Sequence, residues 1–280
     1  MRRFEYFEPA TLVEAAQLMS SANAQVLAGG TDLLVEMKEQ LRRVDRVVNI
    51  KKIPGIAGLF YDARTGLRIG ALVTAREVEL SPIVLEKYPS LGQAARELGS
   101  IQVRNRATIV GNVCRASPSA DMLPPLIADG AVIKLHGASG VRELPLEEFF
   151  TGPGKTVLRP DELVTELVVP APPPRTGKVY IKHGRRKAME LATVGVAVTL
   201  SLNADVRIVL GAVAPTPIRA KAAEELLRGK PLSDALFERA AQAAADESRP
   251  VSNVRASAEY RRDMVRVLTR RALEQALKCA

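Results

Sequence analysis

The 280-residue sequence has no tryptophan, only two cysteines and two histidines, and an aromatic content of 4%. Its core must therefore consist mainly of alanine, valine, leucine and isoleucine. Cys114 and Cys279 are far apart and lack metal-binding spacing, so they are expected to be reduced thiols. An iron–sulfur cluster needs four ligands, which this chain alone cannot supply. Neither histidine belongs to a recognisable nucleophile motif, so we predict no catalytic residues and no metal site.

Long apolar runs are also missing. The most apolar stretch, residues 193–202, is too short to span a bilayer, and no apolar run follows the basic residues at the start. We expect a cytoplasmic protein with no membrane span. The net charge is +9, but most basic residues are scattered among acidic ones, and the densest run, residues 182–187, contains no aromatic residue for base stacking. We therefore expect no nucleic-acid partner; a basic face could instead dock acidic subunits or anionic cofactors.

The pattern of elements indicates an α+β chain in three parts. Thr-x-x-Glu capping boxes at Thr11 and Thr74 predict two helix starts. Short apolar or alternating segments predict strands over residues 25–28, 46–50, 67–71, 131–135 and 163–169. Four prolines in residues 170–174 indicate a stiff linker. Beyond it we predict strands over 194–202 and 206–213, joined by 203–205, and helices over 221–227, 233–245 and 258–277.

Two segments suit a bound ligand. The first runs from a strand through paired glycines into a helix, and it comprises Leu27, Ala28, Gly29, Gly30, Thr31, Asp32, Leu33 and Leu34. Glycines permit a sharp turn and bring bare N–H groups close to an anion. The alternative is an ordinary tight turn in which Thr31 or Asp32 caps the helix. We call residues 27–34 the first loop.

The second segment, residues 102–121, is a long stretch of hydroxyl and amide side chains, and we call it the second loop. A polar loop of this length inside a compact domain is unusual unless it binds a ligand, and its donors would suit a diphosphate. Asp121 could accept hydrogen bonds from sugar hydroxyls, or it could cap the helix that follows.

Other nucleotide motifs fail. No Gly-x-Gly-x-x-Gly occurs at a strand–helix junction. Residues 152–156 imitate the end of a P-loop, but Phe149 stands where that motif requires a glycine.

Taken together, the two loops resemble the FAD-binding signature of the molybdenum hydroxylases, whose members include the medium subunit of aerobic carbon monoxide dehydrogenase and the flavin domain of xanthine dehydrogenase. Residues 116–126, 156–163, 180–182, 211–217 and 257–261 are similar to the same family, so the resemblance covers essentially the entire chain.

The resemblance implies an α+β fold in which a two-subdomain FAD-binding unit of the vanillyl-alcohol-oxidase (PCMH-like) type precedes a C-terminal α+β domain of the CO dehydrogenase flavoprotein type. The expected boundaries are 1–54 and 55–174 for the subdomains and 175–280 for the C-terminal domain. The expected function is transfer of electrons from a partner's 2Fe–2S cluster through FAD to NAD, a quinone, a cytochrome or oxygen. The implied partners are a molybdopterin-binding large subunit and a 2Fe–2S small subunit, in a dimer of heterotrimers.

The resemblance also implies roles for single residues. The first loop, Thr108, Gly111 and Asn112 would wrap the diphosphate, and Ser117 and Asp121 would bind the ribityl or phosphate region. Leu158 and Lys182 would lie near the isoalloxazine, where Lys182 would favour the negatively charged reduced flavin. On residue type alone, Leu158 would be a core residue and Lys182 a solvated cation.

One residue departs from the family's pattern: Val110 stands where the family usually has a second glycine. Because a β-branched residue resists positive φ, the backbone there must adopt an ordinary conformation. Two other functions stay open at this point. One is a self-contained FAD-dependent oxidase or dehydrogenase of related fold, and the other is a non-catalytic anion-binding interaction module.

Overall fold

The computed structural model describes residues 1–202 and 205–280. Its first part is a small parallel sheet of order β1-β3-β2. Its elements are β1 (Glu5–Phe7), α1 (Leu12–Met19), β2 (Ala24–Leu27), α2 (Leu33–Lys38) and β3 (Arg46–Asn49). The central strand β3 is predicted from its apolar run, and Val47 and Val48 are buried within it. This part places the first loop at the carboxyl end of β2.

The second part is a five-stranded antiparallel sheet of order β4-β5-β10-β6-β7. Its strands are β4 (Leu59–Asp62), β5 (Gly66–Gly70), β6 (Val132–Gly137), β7 (Gly140–Pro145) and β10 (Leu163–Val169), and a two-stranded hairpin is formed by β8 (Phe150–Gly152) and β9 (Lys155–Thr156). The central strand β10 is buried along almost its entire length, as its continuous apolar pattern predicts.

Six short helices lie between β5 and β6. They are α3 (Ala75–Leu80), α4 (Pro82–Lys87), α5 (Pro89–Glu97), α6 (Ile101–Arg104), α7 (Ile109–Arg115) and α8 (Leu123–Ala128). The prediction that residues 102–121 form one long loop is therefore wrong in part. Ser100 caps α6 and Thr108 caps α7, and neither helix shows an apolar period in the sequence.

The third part is a four-stranded antiparallel sheet of order β11-β12-β13-β14 packed against three helices. Its elements are β11 (Thr176–His183), β12 (Val194–Ser201), β13 (Val206–Gly211), β14 (Ile218–Arg219), α9 (Lys221–Leu227), α10 (Asp234–Glu247) and α11 (Ala258–Lys278). The three predicted helices are confirmed, as are the two predicted strands. Of the predicted connection 203–205, residues 203 and 204 lie outside the described residues.

The predicted helix starts also form. Thr74 and Glu77 make both hydrogen bonds of a capping box. Thr11 accepts a hydrogen bond from the Glu14 amide, but the Glu14 carboxylate accepts from the amide of Ala10 instead of Thr11. Within residues 1–202 and 205–280, no helix has the length and apolarity needed to cross a membrane.

Buried contacts join the third part to the second. The hydrophobic core that fills the first two parts extends to Tyr180 and Ala197 of the third sheet. The Ala212 amide donates to the Pro118 carbonyl at 2.7 Å, which ties β13 to the end of the second loop. These contacts fix the second loop from both sides.

Candidate cofactor-binding site

A cleft of about 410 Å³ lies between the first and second parts of the chain. This volume is within the usual range for small-molecule sites. Predicted site residues from both loops line it, namely Ala28, Gly29, Gly30, Thr31, Asp32, Leu33, Thr108, Gly111 and Asn112, and Leu158 lines it as well. Residues about 80 positions apart in the sequence are therefore neighbours around one cavity, as a site shared by the two loops requires.

Gly29 is the point at which the two loops touch. A Cβ added to Gly29 would lie 2.0 Å from the carbonyl oxygen of Arg106 and 3.1 Å from the Cα of Ala107. Only glycine permits this approach of one backbone to another. The next residue, Gly30, has φ +76°, a left-handed conformation that favours glycine. The paired glycines thus have two different tasks, close approach at Gly29 and turning at Gly30.

The second loop is held by backbone pairing as well as by its cap. Ala75 donates its amide to the Ala107 carbonyl at 2.8 Å, and Ile109 donates to the Val73 carbonyl at 3.0 Å. The Thr108 hydroxyl accepts from the Gly111 amide at 3.0 Å and so begins α7. The loop is therefore a rigid wall of the cleft, because the strand-to-helix connection of residues 70–75 anchors it.

Asn112 carries a buried polar atom that fits a bound ligand. Its Oδ1 is inaccessible to solvent and has no hydrogen-bond partner among the described residues, although the residue lines the cleft. A buried acceptor without a donor costs free energy, and such an atom calls for an explanation. The hydroxyl groups of a dinucleotide are suitable donors. The residues present therefore fit a cofactor of the FAD type.

Val110 lies inside α7, where φ is negative, and its side chain is buried. The expectation that this position uses an ordinary backbone conformation is therefore confirmed. The side chain also lines the cleft, so valine here adds apolar surface to the wall.

Leu158 lines the cleft, and hydrogen bonds of Arg142 and Glu162 hold the backbone next to it. The guanidinium of Arg142 donates two hydrogen bonds of 2.7 Å to the carboxylate of Glu162 and a third, of 3.0 Å, to the carbonyl of Val157. Glu162 also accepts from the amide of Arg159 at 2.8 Å. The bonds from Arg142 hold the pKa of Glu162 below its ordinary value, so this carboxylate stays ionised. The backbone around Leu158 is thus fixed on both sides.

Asp121 and Lys182 meet in a buried polar cluster. Lys182 Nζ donates to Asp121 Oδ2 and to the Glu97 carbonyl, both at 2.9 Å, and the Tyr180 hydroxyl donates to Asp121 Oδ1 at 2.9 Å. Glu97 precedes Leu98, which lines the cleft, so the cluster lies behind that wall. Asp121 does not cap α8, whose first residue follows Met122. Lys182 is buried instead of being a solvated surface cation.

Burial raises the pKa of Asp121 from 3.8 to about 6, against the opposing effect of Lys182. A folded-state pKa above the ordinary value means that the folded protein binds more protons between these two pH values, so stability falls as pH rises through that window. We expect the free energy of unfolding of the cofactor-free wild type, relative to Asp121→Asn, to decrease between pH 4 and pH 7. Urea denaturation of both proteins at several pH values measures this difference.

Asp62 is the matched control, because the pH dependence of stability that it contributes should have the opposite sign. Backbone hydrogen bonds from Thr65 and Arg64 lower its pKa, so the wild type should gain stability relative to Asp62→Asn as pH rises. If the free energy of unfolding of wild type relative to Asp121→Asn instead increased with pH, the ion pair with Lys182 would outweigh burial. The assignment of a raised pKa to Asp121 would then be wrong.

The remaining predicted site residues lie outside the lining of the cleft. Leu27 is buried in a small core with Met37, Val44 and Val47, and Leu34 is 41% exposed, with its side chain near Gly30. The Ser117 hydroxyl accepts from the Ser119 amide at 3.3 Å and shapes the end of the second loop. The structure therefore brings Asp121 and Lys182 together, and it leaves Leu27, Leu34 and Ser117 at the edges of the site.

Sequence reasoning missed several residues of the lining. The rim of the cleft carries three charged residues, Arg115, Glu36 and Arg42. The β8–β9 hairpin adds Gly154 and Thr156 to the lining. The hairpin belongs to the segment rejected as a P-loop; Gly154 there has φ +68°, and its amide donates to the Ala116 carbonyl at 2.9 Å. A turn-forming Gly-x-Gly signal was present, but nothing in the sequence located it beside the second loop.

Two chemical alternatives find no support at this site. Burial raises the pKa of Cys114 to about 12, so its thiol stays protonated and unreactive near neutral pH. Among the described residues, no group of three or more histidine, cysteine, aspartate or glutamate side chains could hold a metal ion.

Two family models match the chain. Residues 2–172 match the FAD binding domain in molybdopterin dehydrogenase, and residues 179–276 match the CO dehydrogenase flavoprotein C-terminal domain. The two matches together cover nearly the whole chain and meet at the proline-rich connection.

Similar proteins are found over their full length. The chain is 34% identical over 285 residues to the carbon monoxide dehydrogenase medium chain of Hydrogenophaga pseudoflava, covering 99% of each chain. It is 32% identical over 281 residues to a xanthine dehydrogenase FAD-binding subunit of Escherichia coli, covering 98% of this chain and 96% of the other. A solved structure of carbon monoxide dehydrogenase from H. pseudoflava superposes with a TM-score of 0.95 at 35% identity, covering 100% of this chain and 99% of that one.

Proposed function

Because this chain belongs to the family of FAD-binding medium subunits of molybdenum hydroxylases, we propose that it binds FAD in the cleft between its two loops and relays electrons from a 2Fe–2S partner subunit to a final acceptor. The observation that carries the proposal is the backbone contact of Gly29 with Arg106, in a cleft that is also lined by Asn112, whose buried Oδ1 has no hydrogen-bond partner among the described residues. A cleft built in this way suits a long, hydroxyl-bearing anion.

The residues divide by the part of FAD that they would hold. The first loop (residues 27–34), Thr108, Gly111 and Asn112 would surround the diphosphate, with the side chains of Leu27 and Leu34 packed against Gly30 outside the lining. Ser117 and Asp121 would serve the ribityl or phosphate region by shaping the end of the second loop. Leu158 would lie toward the isoalloxazine, and Lys182, paired with Asp121, would act on it from behind the wall. Bound FAD supplies the redox chemistry that protein side chains lack, while the protein supplies position and electrostatics. The chain's own contribution is thus to bind, orient and exclude water, with no catalytic acid or base.

Partner subunits complete the proposal. Two cysteines cannot ligate a 2Fe–2S cluster, so the electron donor must lie on another chain. We propose a molybdopterin-binding large subunit and a 2Fe–2S small subunit as partners, in a cytoplasmic dimer of heterotrimers. The names of the relatives, which are medium chains and FAD subunits, support this arrangement. We also propose subdomain boundaries of 1–54 and 55–174 and a C-terminal domain of 175–280, in keeping with the three sheets.

Titration of FAD into the purified full chain tests cofactor binding. We expect saturable uptake with the appearance of flavin absorbance, and an affinity about tenfold lower for Asn112→Ala, the effect of one buried hydrogen bond. Because Asn112 Oδ1 is a buried acceptor with no partner within the described part of the chain, its removal should not lower the urea denaturation midpoint of the FAD-free protein.

Asn105→Ala is the matched control, since Asn105 lies in the same loop but is exposed and does not line the cleft. Equal FAD affinities for wild type and both variants would contradict the assignment of Asn112. A chain that takes up no FAD at all would instead support an anion-binding interaction module.

Co-expression with the two proposed partners tests the electron-transfer role. We expect the three chains to purify together, and reduction of the bound flavin by the molybdenum subunit's substrate only when the 2Fe–2S subunit is present. Direct turnover of small substrates by the isolated FAD-loaded chain would instead favour a self-contained oxidase or dehydrogenase.

A further inference from the structure

A set of ion pairs crosses the rim of the cleft. Arg115, at the end of α7, places its Nη2 2.8 Å from Glu36 Oε1 and its Nε 3.5 Å from Asp32 Oδ1. Asp32 precedes α2 and Glu36 lies within it, so both carboxylates move with the first loop. Arg115 moves with the second loop. All three residues line the cleft.

The environment of the Arg115–Glu36 pair makes it more effective than an ordinary surface pair, whereas Asp32, 58% exposed, adds a weaker contact. The Glu36 side chain is only 14% exposed and the Arg115 side chain 37% exposed, so solvent screening is reduced on the carboxylate side. Glu36 is oriented further by Arg42, whose Nε lies 3.1 Å from its other oxygen, Oε2. Arg42 belongs to the first part of the chain, like Glu36, and so it does not cross the cleft.

Other contacts between the loops act at a different place. The close approach of Gly29 to Arg106 is a contact between two backbones, without charged groups. The ion pairs of Arg115 lie about ten residues further along the second loop. The contact at Gly29 therefore limits the approach of the loops, and the charge pairs oppose their separation at the edge of the cleft, in addition to the hydrophobic core that the first two parts share.

We propose that Arg115 is a positioning residue that latches the two loops together across the cleft through Glu36 and Asp32, and so sets the affinity for FAD. It acts through these carboxylates, not by contacting the cofactor. The inference rests on the proposed function, because the separation of the loops matters only if a dinucleotide lies between them.

A double-mutant cycle is the decisive experiment. FAD affinity of the full chain is measured for wild type, Arg115→Met, Glu36→Gln and the double variant that carries both changes. We expect each single change to weaken binding, Arg115→Met by about fivefold. The double variant should bind within about twofold of Arg115→Met, because the two residues act through the same ion pair. If Glu36→Gln keeps wild-type affinity while Arg115→Met binds weakly, the guanidinium acts on the cofactor directly and the latch is overturned.

Hydrogen exchange of the FAD-free chain gives a second readout. In Arg115→Met and in Glu36→Gln, amides of residues 29–32 and 108–112 should exchange faster than in wild type, and the double variant should exchange no faster than Arg115→Met. Unchanged exchange in Arg115→Met would overturn the latch.

Arg266→Met is the control for both measurements, since the Arg266 side chain is about as exposed as that of Arg115, 44% against 37%, and it forms an ion pair with Glu238 between α10 and α11, far from the cleft lining. It should change neither FAD affinity nor exchange at the cleft. A wild-type chain that takes up no FAD would contradict the proposed function, whereas hydrogen exchange would still test the latch by itself.

Discussion

Gly29→Ala is expected to lower FAD affinity by on the order of 100-fold, because the new methyl group would lie 2.0 Å from the Arg106 carbonyl oxygen. The neighbouring atoms are backbone, which cannot rotate away as a side chain can. The two loops must therefore separate by about 1 Å, which opens the cleft at the place where both walls would contact the cofactor. Titration with FAD and the flavin absorbance of the purified variant measure the effect.

Gly152→Ala is the matched control, because it replaces a glycine by alanine at a position where the added methyl group has room. A Cβ at Gly152 would meet, within the described part of the chain, nothing closer than the Lys155 Cδ at 3.9 Å. The control variant should keep wild-type FAD affinity and stability. Wild-type FAD affinity in Gly29→Ala would mean that the loops need not touch, and the proposed site would lose its main support.

Lys178→Met is expected to destabilise the protein by about 3–5 kcal/mol, since it leaves a buried carboxylate unpaired. Lys178 Nζ lies 2.6 Å from Asp129 Oδ1, and the two side chains are 3% and 1% exposed. The Thr199 hydroxyl donates to the same oxygen at 2.8 Å, while the Lys178 ammonium also lies 4.6 Å from the centre of the Tyr88 ring. The pair joins the end of α8 to the third sheet. Urea denaturation measures the loss.

Two further variants test whether burial of the ion pair and the unpaired carboxylate cause the loss of stability in Lys178→Met. Lys52 and Glu8 form an exposed pair at the same 2.6 Å distance, so Lys52→Met should not shift the denaturation midpoint measurably. Adding Asp129→Asn to Lys178→Met removes the unpaired charge and should recover most of the lost stability. A double variant as unstable as Lys178→Met would show that lost packing, not the stranded carboxylate, causes the effect.

Helices and strands were predictable where short-range patterns determine them. The capping box at Thr74, the buried strand β10 and the three C-terminal helices follow from neighbouring residues alone. The helix α6 escaped prediction because four residues are too few for an apolar period to emerge. The helix α7 escaped it because its β-branched residues and glycine have low helix propensity, unlike the alanine, leucine and glutamate residues of the equally long α9. Backbone pairing with residues 73–75 stabilises that segment, and such distant pairing leaves no local signal.

The sequence alone determined which residues could serve as turns, caps and polar walls, because these properties depend on residue type and near neighbours. It indicated the paired glycines, the polar second loop and the departure at Val110. Only the tertiary structure decided which of them meet. It set Gly29 against Arg106, and Asp121 beside Lys182, 61 residues away. Burial, and with it the raised pKa of Asp121, arises only once distant segments pack together and exclude water.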